Sequence, residues 1–279
     1  TVAQGVTSFD SDGFSLGTDT SVNGAGGTGG TYVAWNWLGA NGTVSNSDGS
    51  ISSTVSANQT AGFSIVTYTG NGTAGATVGH GLGSVPKMII VKVRNTTNTW
   101  VVYHTSLGAT KFIEMDSTGA VQTNSTRFND TEPTSSVFSL GSAAGLNTNS
   151  DTHVAYCFAE KQGYSKFGKF TGNGNADGPF VYTGFKPAWV MLKETSGTSD
   201  WSMYDNKREP FNVADSTLEA NTTDAEAAVS GRPIDILSNG FKLRGDSSFT
   251  NENGATYIYW AFAEHPFVTA GTKAAGTAR

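Results

Sequence analysis

The sequence predicts an all-β chain built as tandem antiparallel β-sandwich modules, two full repeats preceded by the closing part of an earlier module. Three observations carry this expectation. Of 279 residues 35 are Gly and only 14% are charged, a composition that suits short strands joined by turns better than long surface helices. Landmarks recur in one order: Pro86 opens "PKMIIVKV" and Pro187 opens "PAWVMLKE", 101 residues later, and Trp100-x-x-Tyr103 returns as Trp201-x-x-Tyr204 at the same shift. Such self-similarity marks a repeated structural unit. Finally, the apolar runs are about six residues long or alternate with period two, which favours strands over helices.

The elements follow in chain order. "DSDG" at 10–13 reads as a hairpin turn, where Asp-Gly is favoured. "TYVAWNW" at 31–37 puts Val33, Trp35 and Trp37 on one face and Tyr32, Ala34 and Asn36 on the other. It matches "THVAYCF" (152–158) and "TYIYWAF" (256–262), so residues 1–40 read as the closing strands of a module that began earlier. Residues 41–61 are polar and read as a linker or surface arm, with one short strand near Ile51–Val55. The first full repeat spans 62–161 and the second 162–268, each opening near "TGNG" (69–72 and 171–174). A polar tail follows at 269–279.

Within each repeat the run after Pro86 or Pro187 reads as a central strand buried on both faces, with proline tolerated at its first position. The polar loops 94–99 and 194–200 then turn the chain into the Trp-x-x-Tyr strands. Lys92 and Lys193 precede those loops at equivalent places. Each is expected to lay its stem on an aromatic ring with the ammonium in water. The predicted core comprises Trp35, Trp37, Trp100, Tyr156, Phe158, Trp201, Trp260 and Phe262. Cys157 falls on the face opposite the Val154, Tyr156 and Phe158 trio and reads as a buried spectator thiol; one cysteine forms no internal disulfide.

Charge and motifs exclude several functions. The net charge is −6 and residues 1–86 hold no Lys or Arg, which is unsuited to nucleic acid. No run of eighteen apolar residues is present, so no membrane insertion is expected. The four histidines lack metal-ligand spacing, "DSDG" lacks the remaining ligands of a calcium loop, and "GNG" is followed by no phosphate-cradling helix. No metal, no cofactor and no catalytic residue is therefore expected. The best enzymatic candidate is "EMD" at 114–116, a pair of carboxylates at alternating strand positions as a polysaccharide-degrading sandwich enzyme would need. Aligning "FIEMDST" (112–118) with "FNVADST" (211–217) keeps Asp215 for Asp116 but puts Val213 in place of Glu114. The Asp-Ser-Thr then reads as a turn.

Several stretches together resemble a known family: "GFSIVTYTGNGTAGATVGHGLGSVPKMIIVK", "VAYCFAEKQGYSKFGKFTGNGNADGPFVYTGFKPAWVMLK" and "YWAFAEHPF". They are similar to repeat modules, of no assigned biochemistry, near the C-termini of tail-fibre and related virion proteins of bacteriophages, especially marine ones. In such proteins a concanavalin-A-like sandwich often precedes these modules, and residues 9–37 resemble its end. The resemblance implies a non-enzymatic component of the virion exterior, made in the host cytoplasm, that associates with itself as a homotrimer or higher assembly and with other virion proteins. It also implies host attachment through exposed loops to a surface glycan or protein. The loop "DNKREPFN" (205–212) is one that differs between the copies, which offers Asn206, Lys207 and Arg208 as candidate receptor contacts. A purely structural fibre or capsid-decorating subunit is the alternative.

Overall fold

In the computed structural model residues 4–24 and 30–266 are described, and the tail 269–279 lies outside them. The chain divides into two compact units, 1–37 and 38–279. In the first, β1 (Val6–Phe9) and β2 (Phe14–Leu16) form a hairpin closed by the Asp10–Gly13 turn, followed by one helical turn, α1 (Thr20–Asn23). Residues 31–37 belong to no strand. The alternation survives without the pairing: Val33, Trp35 and Trp37 are half-buried and their neighbours exposed, so the two tryptophans are not the buried core residues expected.

The second unit begins with a module of ten strands: β3 (Val44–Asn46), β4 (Ser53–Asn58), β5 (Phe63–Thr69), β6 (Ala76–Gly79), β7 (Met88–Val93), β8 (Val101–His104), β9 (Lys111–Glu114), β10 (Gln122–Thr123), β11 (Val137–Leu140) and β12 (Thr152–Phe158). Eight form one antiparallel sheet in the order β10-β9-β8-β7-β12-β5-β4-β3, and β6 with β11 forms the facing sheet. The segment 41–61 is thus not a linker, because its Ser, Thr and Val residues extend the large sheet by two strands. β7 and β12 are central, and each carries mainly apolar residues on both faces.

The second module repeats this plan with β13 (Ser165–Thr171), β14 (Phe180–Tyr182), β15 (Pro187–Glu194), β16 (Ser202–Asp205), β17 (Ser216–Glu219), β18 (Ala227–Ala228), β19 (Ile234–Leu237), β20 (Gly240–Leu243) and β21 (Thr256–Ala263). Its large sheet runs β13-β21-β15-β16-β17-β18 and its small sheet β14-β20-β19. Strand for strand, β5, β12, β7, β8, β9 and β10 of the first module correspond to β13, β21, β15, β16, β17 and β18 of the second. The repeated "TGNG" has a shared purpose. A Cβ on Gly70 would lie 2.4 Å from Thr148 O, and one on Gly172 2.3 Å from Glu252 O, so only glycine permits these approaches. Each turn is clasped by a fully buried amide: Asn147 accepts from Asn71 N at 2.9 Å, and Asn251 from Asn173 N at 2.9 Å.

The faces of β12 invert the sequence-based assignment. His153, Ala155 and Cys157, all fully buried, point into the first sandwich with Val66, Ile89, Val91 and Phe138. Val154 and Tyr156, on the other side, are half-buried, and Tyr156 stacks on the half-buried Trp100 at 6.4 Å. Phe158, Trp201, Trp260 and Phe262 are buried, but Phe158 and Phe262 meet at 6.0 Å across the two modules rather than inside either sandwich. The large sheets therefore face each other, giving four layers: small sheet, large sheet, large sheet, small sheet.

Polar groups pin this contact. His104 Nδ1 accepts from Ser106 N at 3.1 Å, so Nε2 carries the hydrogen and donates to Tyr259 O of the second module at 3.3 Å. Burial lowers its pKa to about 4, which keeps the ring neutral at pH 7. Trp201 Nε1 donates to Glu114 O at 3.0 Å. Lys193, expected to reach water, is fully buried: Nζ donates to Thr118 O, Glu194 O and Ser199 Oγ at 3.1, 2.9 and 3.4 Å. The first module covers it through Thr118, and burial pushes its pKa down to about 8. Lys92, its partner by sequence, does lie over an aromatic ring, 5.7 Å from the centre of Trp100.

Candidate functional site

Two modules of one plan separate frame from function, since what both copies hold in common is explained by folding. The strongest carboxylates fall on the frame side. Glu114 is opposite Val101 in the β8–β9 ladder, and Glu219 is opposite Ser202 in β16–β17. Glu219, not Val213, is therefore the counterpart of Glu114, and Asn221, not Asp215, that of Asp116; the matching "DST" stretches mislead because the loop before β17 is longer. Glu114 pairs with Arg127 at 3.7 Å, and Glu219 pairs with Arg232. Both guanidinium groups also cover a ring, Arg127 over Phe112 at 4.5 Å and Arg232 over Phe249 at 3.7 Å. Asp116 accepts from Trp100 N at 3.0 Å, and Asn221 accepts from Trp201 N at 2.8 Å. In both copies Asp116 or Asn221 fastens the end of β9 or β17 to the start of the strand beside it, and the arginine ties the same strand to the segment after β10 or β18.

Cys157, His80 and His153 are likewise enclosed, whereas Asp10, Asp12 and His265 are exposed. Burial drives the Cys157 thiol up to about 12, so it stays protonated at neutral pH. His80 bonds Leu82 N and Thr134 O, and His153 stacks on Tyr68 at 4.9 Å. Among the described residues no group of three His, Cys, Asp or Glu side chains is placed to hold a metal ion.

The copies diverge after β8 and β16. The first returns through a short turn at 105–110, whereas the second sends out 206–215. This loop is tied at its root. Asp205 Oδ1 accepts from Lys207 N at 3.0 Å and Arg208 N at 2.9 Å, while Oδ2 pairs with Arg208 Nε at 2.6 Å. Burial alone would raise the Asp205 carboxyl, but Arg208 and the two amides outweigh it and hold it below the usual range. Arg208 also pairs with Glu226 at 2.6 Å and donates to Met203 O at 3.1 Å. Glu209 accepts from Ser216 N at 2.8 Å and from its hydroxyl at 3.0 Å. Farther along, Asn212 clips the tip to β19, donating to Ile236 O at 3.1 Å and accepting from Ile236 N at 2.9 Å.

Of the three residues proposed from sequence as contacts, only Lys207 is exposed. Asn206 is buried with its N–H bonded to Ala188 O at 3.0 Å, and Arg208 is a strut inside the loop. Around the Asn212 clip the loop presents Pro210, Phe211 and Val213 instead, with Phe211 82% exposed. The sequence signal was "PFNV", an apolar cluster inside a charged loop that no alternation demands.

Comparisons with curated proteins and with solved structures find no match. A family model matches residues 1–266 and so takes in both modules and the first unit. The chain belongs to the family described as a domain of unknown function, DUF7483.

Proposed function

We propose that this chain is a virion-exterior component of a bacteriophage tail fibre or related appendage that associates with itself and contributes to host attachment. In this reading the paired sandwiches are a rigid mount and the second module carries the contact surface. The observation supporting it most is the loop 206–215, which is braced at both ends and holds Lys207, Pro210, Phe211 and Val213 in solvent. An exposed apolar tip on a preorganised loop binds with little ordering cost. The chain acts by binding rather than by catalysis, in keeping with the structural engagement of Glu114 and Asp116.

The test uses virions of the phage that encodes the chain. Antibody raised against it labels the distal appendages in negative-stain images, and free chain added before infection slows adsorption to host cells. Phe211→Ser in the free chain reduces that competition at least tenfold without lowering its thermal midpoint. Labelling confined to the capsid, or competition that Phe211→Ser leaves unchanged, refutes the reading.

A further inference from the structure

The small sheets of the two modules have the same inward face but different outward ones. In β6 the outward positions are Thr77 and Gly79, and the chain itself covers them: a Cβ on Gly79 would fall 1.6 Å from Asn46 Oδ1, and Ile51 pairs with Val78 along the strand edge. In β14 the matching positions hold Phe180 and Tyr182, 45% and 64% exposed, while Val181 between them is buried. Large aromatics on the solvent face of a short strand are not demanded by folding, because the inward face already supplies the core.

Their surroundings are specific. Cross-strand partners share a face, so Tyr182, Gly240 and Leu237 form one row across the sheet, and Phe180, Lys242 and Asp235 form the next. Gly240 has no side chain to stand between the rings; a Cβ there would come within 3.0 Å of Phe180 Cε2 and Cζ, so that ring lies over the glycine. The two aromatics are about 7 Å apart along the strand. On the Phe180 side Lys242 pairs with Asp177 at 2.9 Å, and Arg244 with Asp235 at 3.3 Å. On the Tyr182 side the exposed Ser238 and Asn239 close the surface.

We propose that this outer face of β14, β20 and β19 is a binding surface for a neutral glycan, with Phe180 and Tyr182 stacking on the apolar faces of sugar rings. Two carboxylates and two cations already neutralise one another around it, so the fringe complements an uncharged ligand rich in hydroxyls and not an anionic one. Paired charged groups and amides supply both donors and acceptors to such hydroxyls. The assignment stands on this face alone and depends on the attachment reading only for where the glycan is found.

The test is affinity electrophoresis of the whole chain in gels containing dextran, galactomannan or xyloglucan, with alginate as the anionic control. At least one neutral polymer retards the chain; Tyr182→Ala and Phe180→Ala each weaken this at least tenfold with unchanged thermal midpoints, and Phe211→Ser leaves it intact. Retardation by none of the neutral polymers, by alginate alone, or to the same extent after both aromatic substitutions overturns the proposal. So does a dimer of the chain that Tyr182→Ala dissociates, which makes the face a contact between copies. Binding of labelled chain to host cells is measured in parallel: cell binding that persists without polysaccharide binding removes the glycan face and leaves the attachment reading standing.

Discussion

At the scale of single residues, Lys193 separates what its neighbours in sequence reveal from what they conceal. Its equivalence to Lys92 is plain from the repeat, and so is the aromatic strand that follows each. What hides it is a second sheet, and no local pattern records that. Similarly, Asn206 and Arg208 look like loop residues until Asp205 and Glu226 are seen to occupy Arg208. The consequence for Lys193 is measurable. Because its folded pKa is depressed to about 8 from 10.5, the unfolded chain binds one more proton between those pH values, and stability rises with pH across that window. At roughly 1.4 kcal/mol per pH unit, the gain is about 2–3 kcal/mol. Urea unfolding of the chain and of Lys193→Met at pH 7.5 and pH 10.5 measures it. The stability of the native chain relative to the variant is expected to rise by that amount, and parallel profiles would show that the ammonium is not desolvated.

At the scale of elements, the legible strands were those that occur twice. β7 and β15, β12 and β21, and the "TGNG" turns announce themselves by recurrence and by apolar runs, whereas β3 and β4 have no counterpart in the second module. Their sequence, Ser-rich and weakly alternating, looks like an arm because only one face of each meets the sandwich: Ser53 and Val55 are buried while Thr54 is exposed. Burial alone cannot tell an exposed strand residue from a linker residue, but backbone pairing can. Thr54 lies between Ser45 and Thr67 in the ladder. Proline there removes a backbone donor and leaves a carbonyl without its partner, a loss of about 2 kcal/mol. Thr54→Pro is therefore expected to lower the urea midpoint by that equivalent, and Thr54→Ala by far less. If the proline is as mild as the alanine, 41–61 is a linker after all.

At the scale of the molecule, the aromatic residues singled out by sequence prove to join modules more than to fill them. Period two correctly assigned Tyr156, Phe158, Trp260 and Phe262 to one face, but a face buried by a neighbouring module has the same signature as one buried by its own partner sheet. Cys157 and Ala261 are small because they sit over the closely packed sandwich interior, and the large rings are free to meet those opposite. Phe262 touches Phe158 at 6.0 Å and Phe167 at 6.3 Å, and Phe158 also touches Phe167 at 6.3 Å. If this cluster couples the modules, they melt together, and the two rings report on one interaction. Phe158→Ala and Phe262→Ala are each expected to cost about 3–5 kcal/mol, as buried aromatic truncations do. The double variant should lose about 1 kcal/mol less than their sum, the size of an aromatic pair's coupling. Calorimetry of the four proteins gives both readouts. Strict additivity, or two separate transitions of which each substitution shifts only its own, would reduce the four-layer stack to neighbouring modules joined by a tether.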